Sequence, residues 1–401
     1  MRILHISSTF SGGAGIAVRR IVESQRLFGL DSVLVARSGY ANVDHHYEKY
    51  INVGGIGALT SKFLTASQSL VVQKSRKLVT PMTLSFLQQI RRLASDYEIV
   101  HFHSMYNVIN HEGIAEIAKL LPVVVTLHDQ RLFTGACHYS FDCLGYQDTC
   151  KKCPQVRRVW QALPQLALSR QEFSFQKATQ IQFVSPSKWL AEKAQASSLL
   201  KDRSFEIVVN PLPRELYGES WRKRTHSLSG RLTIGFVSQH LNNPYKGLDI
   251  LLQAISLISS QRPVHLRLFG KGKVNVTTNN VKVEQLTMNT DDERVTELRK
   301  CDVIVVPSLQ DNLPSSLTES LVCGIPVIAS RTGGIREVVD LFGLRSFESG
   351  NPLDLAQALT ESEESLLPSV KLEEVKRVFS YEVSAKRHEE IYRRALSSDS
   401  D

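Results

Sequence analysis

Two carboxylates, Asp311 and Glu319, stand eight positions apart in "PSLQDNLPSSLTESLVCG", on either side of a proline-serine turn. The preceding "DVIVVPS" reads as a buried strand and "LQDNLP" as the loop at its carboxyl end. "SSLTESLVCG" reads as a helix leading into the next strand, "IPVIAS". Ser315 or Ser316 is expected to cap that helix, which turns its first N–H groups and the positive end of its dipole toward the loop. One carboxylate can then reach a ribose and the other a sugar, with the helix start on the phosphates between them. "RTGG" repeats the glycine turn after the following strand, at Gly333 and Gly334.

Ligands of parallel α/β sheets sit at the carboxyl ends of strands, which directs attention to three further turns. In "SSTFSGGAGIAVRR", Gly12 and Gly13 let the backbone approach a phosphate or sugar; the bland reading is a tight turn. Gly13 and Gly15 match two positions of a dinucleotide fingerprint. Val18 occupies the third, and the second strand ends at Arg37 without an acidic partner for a ribose, so NAD is disfavoured. In "VVVTLHDQ", His128 can donate to a substrate hydroxyl or phosphate, and Asp129 can orient it or cap the next segment; the alternative is a structural histidine. In "NNPYKGLDILLQAI", Lys246 precedes a helix opened by Gly247, where an ammonium can neutralise a diphosphate; the alternative is a surface lysine.

"CHYSFDCLGYQDTCKKCP" gathers Cys137, Cys143, Cys150 and Cys153 within seventeen residues. In a reducing compartment such a cluster, ending in Cys-x-x-Cys, suits zinc better than disulfides. The five residues between the first two cysteines match no standard ribbon, so structural zinc, disulfide or redox pairing, and unliganded thiols all stay open. A closed four-thiolate site leaves no position for substrate, so its expected role is to fold an insertion at about 135–155.

These residues need a scaffold, and the chain supplies one twice. Apolar runs "RILHIS", "SVLVAR", "EIVHFHS", "PVVVTLHD", "QFVSPS" and "FEIVVN" alternate with helical patterns such as "GIAVRRIVESQRLFG". After the polar stretch 214–230 the pattern restarts with "RLTIGFVSQ", "VHLRLFG", "VKVEQL", "DVIVVPS" and "PVIASR". Near-continuous apolar strands with helical crossovers predict α/β architecture, two doubly wound parallel sheets facing across a cleft. The expected domains are residues 1–210 and 211–380. Residues 381–401 form a closing helix and tail, with Val383, His388, Ile391, Tyr392 and Leu396 on one face.

With 401 residues, 42% hydrophobic and 22% charged, the chain is long enough for two cores and has a globular composition. Its 48 Lys and Arg against 40 Asp and Glu give +8, a mild preference for anionic partners. The basic groups at 74–78, 151–158 and 221–224 do not interleave with aromatics, which argues against nucleic acid. No signal-peptide core or membrane-spanning run is found, so a cytoplasmic protein is expected. Residues 61–79 mix basic and apolar positions and are a candidate for peripheral contact with the inner face of the membrane.

The sequence resembles the retaining glycosyltransferases of the GT4 family, which have the GT-B fold. The resemblance covers nearly the whole chain and rests on "SGGAG", "TLHD", "PYKGLDILLQAI", "PSLQDNLPSSLTESLVCGIPVIASRTGGIREVV" and "FSYEVSAKRHEEIYRRAL". It implies a hexosyltransferase that moves a sugar from a nucleoside diphosphate sugar to a glycan or lipid-linked oligosaccharide, with retention at the anomeric carbon. The cysteine segment resembles a branch that assembles bacterial exopolysaccharide and lipopolysaccharide. By the same resemblance Gly12 and Gly13 lie near the donor phosphates and acceptor, and His128 contacts the donor sugar. Lys246 binds phosphate, Glu319 the ribose, and Asp311 stands where the family has a glutamate. His240, Asn312, Leu313, Pro314, Ser315, Ser316, Gly333 and Gly334 complete the donor-binding set. His240 occupies the place of the family's arginine six positions before the lysine, so a permanent charge is missing there. The implied catalysis needs no cofactor. A nucleotide-sugar epimerase and a non-catalytic nucleotide-sugar-binding partner in polysaccharide assembly are the rival readings.

Overall fold

The computed structural model describes residues 1–38, 46–51, 86–220, 230–360 and 371–397, apart from positions 107, 177, 179, 277 and 289. The basic segments 74–78 and 221–224 and the proposed membrane segment 61–79 lie outside the described residues. The chain divides into two compact units. One comprises Met1–Pro211 with Tyr381–Asp401, the other Leu212–Ser380.

The first unit is built on a seven-stranded parallel sheet. Its strands are β1 (Arg2–Thr9), β2 (Asp31–Ser38), β3 (Glu48–Tyr50), β4 (Ile99–Phe102), β5 (Val123–Thr126), β6 (Ile181–Ser185) and β7 (Phe205–Ile207). They lie in the order β3-β2-β1-β4-β5-β6-β7, so the strand order reverses between β1 and β4. Both β4 and β5 are buried at every position, as expected of strands covered by helices on two faces. The helix Gly12–Leu27 packs close against β1 because Gly15 has no side chain. A Cβ there would stand 2.6 Å from the Phe10 carbonyl carbon. The closing helix Tyr381–Ser397 belongs to this unit and buries Ser384, Ala385, His388, Ile391, Tyr392 and Ala395. Val383, expected on its inner face, is 39% exposed, because the buried stripe begins one residue later, at Ser384.

The second unit carries a six-stranded parallel sheet. It contains β8 (Leu232–His240), β9 (Val264–Lys271), β10 (Val281–Leu286), β11 (Val303–Val306), β12 (Val327–Ser330) and β13 (Arg345–Phe347). The order β10-β9-β8-β11-β12-β13 reverses between β8 and β11. The helix Leu248–Ile258 shows why the sequence folds this way. Leu248, Leu251, Ala254, Ile255 and Ile258 recur at helical spacing and are all buried, each large aliphatic contributing about 1.5–3 kcal/mol. The short edge strands β3 and β13 are not read in the sequence, since three residues carry too little periodicity. No described helix is long and apolar enough to cross a membrane.

Candidate functional site

In the second unit the functional candidates collect where the sheet reverses. β8 ends at the exposed His240, and the chain turns through Pro244–Lys246 into the helix Leu248–Ile258. Gly247 makes this turn possible: its φ is +71°, and a Cβ would lie 1.9 Å from the Pro307 carbonyl oxygen. The turn is thereby held against the loop that follows β11, and Leu309 N–H donates to the Tyr245 carbonyl at 2.8 Å. As a result Lys246 Nζ stands 2.6 Å from Asp311 Oδ2. Burial pushes the ammonium's pKa down, but the charge and hydrogen bond of Asp311, with Tyr245, outweigh it, and the net shift is upward. Lys246 is therefore a fixed cation at a switch point, the place where α/β sheets bind ligands.

Asp311 is buried. It receives Asn312 N–H at 3.0 Å and a longer contact from Ser308 at 3.4 Å, while its carbonyl accepts from Gly334 N–H. Gly333 is required by this approach, with φ +55° and a built Cβ only 2.0 Å from the Asp311 carbonyl oxygen. Asn312, Leu313 and Pro314 are buried in the same loop, and Ser315 and Ser316 are half-buried at the start of the helix Ser315–Val322. The expected serine cap is not formed. Pro314 is the N-cap residue, and no side chain caps the helix. Proline favours the extended backbone that leads into a helix and places both serines inside the first turn.

Glu319 is 1% exposed and is held by Arg294, whose Nη1 reaches its two oxygens at 3.0 and 3.2 Å. Arg294 comes from the helix Asp291–Leu298, which is fixed by a capping box between Thr290 and Glu293. The sequence analysis missed this arginine, since nothing in local spacing links positions 294 and 319. The two carboxylates of the opening motif thus each meet a cation, Asp311 with Lys246 and Glu319 with Arg294.

In the first unit, Gly12 has φ +75°, and Gly13 is exposed with nothing within 4 Å of a built Cβ. The helix they begin has Ser11 as N-cap residue without a side-chain cap bond. His128 follows β5 and lines a pocket with His103, Ser104, Tyr106, Asp129 and Arg131. Burial pushes its imidazole down to about 4, with Asp129 raising and Arg131 lowering it, so the ring is neutral at neutral pH. Asp129 is engaged elsewhere. It caps the turn Gln130–Leu132 through Arg131 N–H at 2.8 Å and pairs with the Arg131 guanidinium. Burial alone would raise its carboxyl pKa, but Arg131 and His138 reverse that and hold it well below the carboxylate range. His128 also meets His103, with His103 Nδ1 at 3.2 Å from His128 Nε2. The signal was present in "VHFHS": His101 in β4 and His103 just past its end are two residues apart, a spacing that in extended chain puts both on one side of the sheet.

All six cysteines are unbridged. Gly135 N–H points at Cys150 Sγ (3.2 Å), Gly145 N–H at Cys143 Sγ (3.4 Å) and Gln155 Nε2 at Cys137 Sγ (3.3 Å). Cys137 and Cys153 share a hydrogen bond that holds the Cys153 thiol low, while the same bond and burial push Cys137 up. Four thiols suit zinc chemically. A tetrahedral thiolate site needs sulfurs about 3.8 Å apart, and among the described residues no three of these Sγ atoms lie within 4.8 Å of one another. The segment is not closed around one centre as it stands.

The sequence profile described as "Glycosyl transferases group 1" matches residues 231–363. An Escherichia coli K12 chain named as a colanic acid biosynthesis glycosyl transferase, WcaC, is 25% identical over 282 residues. That stretch is 65% of this chain and 66% of the relative, just under two thirds of the relative's length. Among solved structures, sucrose-phosphate synthase from Thermosynechococcus elongatus superposes with a TM-score of 0.70 at 14% identity, covering 99% of this chain and 100% of that one. Anabaena HepE, solved with UDP and glucose, gives 0.64 at 16% identity over 98% and 99% of the two chains. Two Rossmann-like parallel-sheet units of this order are the GT-B fold, and residues 231–363, in the second of them, match the profile of the glycosyl transferases group 1.

Proposed function

We propose that this chain is a retaining glycosyltransferase of the GT4 kind, moving a sugar from a nucleoside diphosphate sugar to a glycan or lipid-linked acceptor in cell-surface polysaccharide synthesis. The observation that carries the reading is the Lys246–Asp311 pair at the switch point of the second sheet, beside a helix start that no side chain caps. An ammonium and the N–H groups of a helix start there suit a diphosphate leaving group, and the chemistry then rests on orientation and on stabilising the charge that develops as the glycosidic bond breaks. Glu319 is assigned to the ribose and His128 to a sugar hydroxyl. UDP is the first nucleotide to try, since HepE was solved with UDP and glucose. The polysaccharide context is supported by the colanic acid name of the E. coli relative.

The test is the thermal shift of the purified protein with UDP, GDP, ADP and dTDP, with NAD as control. A rise with one diphosphate and none with NAD is expected. No rise with any diphosphate in a folded sample would refute the donor site. A second reading, a nucleotide-sugar-binding partner without turnover, is favoured by His240 standing in place of an arginine. It predicts the same shift but no transfer to any acceptor.

We place the protein in the cytoplasm, docked at the inner face of the membrane. Supporting this are Val159, Trp160, Leu166 and Phe173, at 82%, 42%, 64% and 63% exposed, in a stretch that also holds Lys151, Lys152, Arg157 and Arg158. Failure to co-sediment with anionic vesicles at low salt would count against it.

A further inference from the structure

Gln25 is fully buried in the helix Gly12–Leu27, where a polar amide is costly unless every hydrogen-bonding atom is matched. Its Oε1 accepts from Ser32 Oγ at 2.6 Å and faces His5 Nε2 at 2.9 Å, and its Nε2 donates to the Tyr392 hydroxyl at 2.9 Å. Two lines of hydrogen bonds leave it. One runs from His5 Nδ1 to His103 Nε2 (2.9 Å) and from His103 Nδ1 to His128 Nε2 (3.2 Å). The other runs from the Tyr392 hydroxyl to His101 Nδ1 (2.7 Å) and from His101 Nε2 to Thr126 Oγ1 (2.7 Å). Both lines end at the carboxyl end of β5, two residues apart, on the wall of the same pocket.

The first line has a direction. A neutral imidazole carries one donor and one acceptor nitrogen. The carbonyl oxygen of Gln25 can only accept, so His5 carries its proton on Nε2 and presents a lone pair at Nδ1. His103 must then donate from Nε2, and its Nδ1 accepts from His128. We propose that Gln25, His5 and His103 are positioning residues that hold His128 in the Nε2–H tautomer, with Nδ1 as its acceptor nitrogen. The inference rests on the proposed role of His128 toward the sugar. It also deepens that role: the donor nitrogen of His128 is engaged inside the fold by His103, so a hydroxyl that meets this ring meets an acceptor.

The line is neutral at neutral pH, because burial pushes His5 down to about 3 and His103 well below its ordinary value. A proton on either ring would turn both its nitrogens into donors and set two N–H groups against each other. The same bonds explain the one trio of metal-compatible groups among the described residues, His5, His101 and His103. His5 and His103 share a proton, and His101 is bound at both nitrogens by Tyr392 and Thr126. No metal is needed to account for their approach.

The experiment is long-range proton–nitrogen NMR correlation on the full chain labelled with nitrogen-15 histidine, at pH 7.5, with the His128 signals assigned by their loss in His128→Asn. The expected result is a protonated Nε2 and an unprotonated Nδ1. Gln25→Met cuts the root of the line and should convert His128 to a mixture of tautomers, with turnover falling about tenfold or more. Leu190→Ala, a core truncation elsewhere in the unit, should lower stability and leave the tautomer unchanged. A protonated Nδ1 in the wild type, or an unchanged tautomer in Gln25→Met, overturns the proposal; the wild-type spectrum decides even if Gln25→Met does not fold. Normal transfer by His128→Asn with the expected tautomer would remove the role of His128 toward the sugar and leave the hydrogen-bond line standing. An inactive His128→Asn with the opposite tautomer would do the reverse.

Discussion

Lys246 Nζ and Asp311 Oδ2 lie 2.6 Å apart, joining the turn after β8 to the loop after β11 across the reversal of the six-stranded sheet. The ammonium is thus oriented before any ligand arrives. Removing one such preorganised donor typically costs about 3 kcal/mol in the transition state, so Lys246→Ala should lower kcat by roughly two to three decades. It also leaves a buried carboxylate without its cation, at a cost of about 1–3 kcal/mol in stability. Near-normal turnover by the folded variant would refute the assignment.

The glycines separate packing from access. Gly13→Ala meets nothing within 4 Å, so its melting temperature should stay within about 1 °C of wild type, while a ligand approaching that backbone is obstructed. Gly15→Ala drives a Cβ to 2.6 Å from Phe10, and Gly333→Ala adds a clash with Asp311 to a positive φ. Each should cost about 2 kcal/mol or more, some 4–8 °C in domains of this size. Equal melting temperatures for Gly13→Ala and Gly15→Ala would contradict the close packing of that helix on β1.

Acid should unfold the first unit early. His5, His101, His103, His111 and His388 are all buried there. Burial lowers His5 to about 3, His111 and His388 to about 4, and His101 and His103 well below the ordinary value. Folded values below the unfolded value of about 6.5 mean that the unfolded chain binds the protons, so stability falls as pH drops from 6.5 toward 4. At pH 5.5 unfolding should therefore take up several protons, and stability should fall steeply over this interval. Urea midpoints between pH 7.5 and 5 measure this, and a flat profile would exclude these values.

Metal analysis decides the cysteine segment. If zinc folds residues 137–153, protein purified without added metal should carry about one equivalent, and chelation should lower its melting temperature. Much less than one equivalent in a folded sample would leave Cys137, Cys143, Cys150 and Cys153 as packed thiols, the arrangement that N–H···S contacts to Cys137, Cys143 and Cys150 already suit.

Chain order and residue type were enough to read most of the strands, because apolar runs of four to nine residues separated by helical periods can be buried in few other ways. They also put Lys246, Asp311 and His128 in the turns beyond strand ends and Glu319 in the helix that follows one of them, since glycine, proline and polar residues mark those ends locally. What local pattern could not carry was pairing across the fold. The Lys246–Asp311 contact depends on the strand order placing β8 beside β11, and the Arg294–Glu319 contact on a helix 25 residues away. The line from Gln25 through His5 and His103 to His128 joins one helix to three strand segments. Sequence determined which groups were available at each strand end. Tertiary structure decided their partners, because a hydrogen bond is specified by distances of a few tenths of an ångström, and those are fixed only when the sheets assemble.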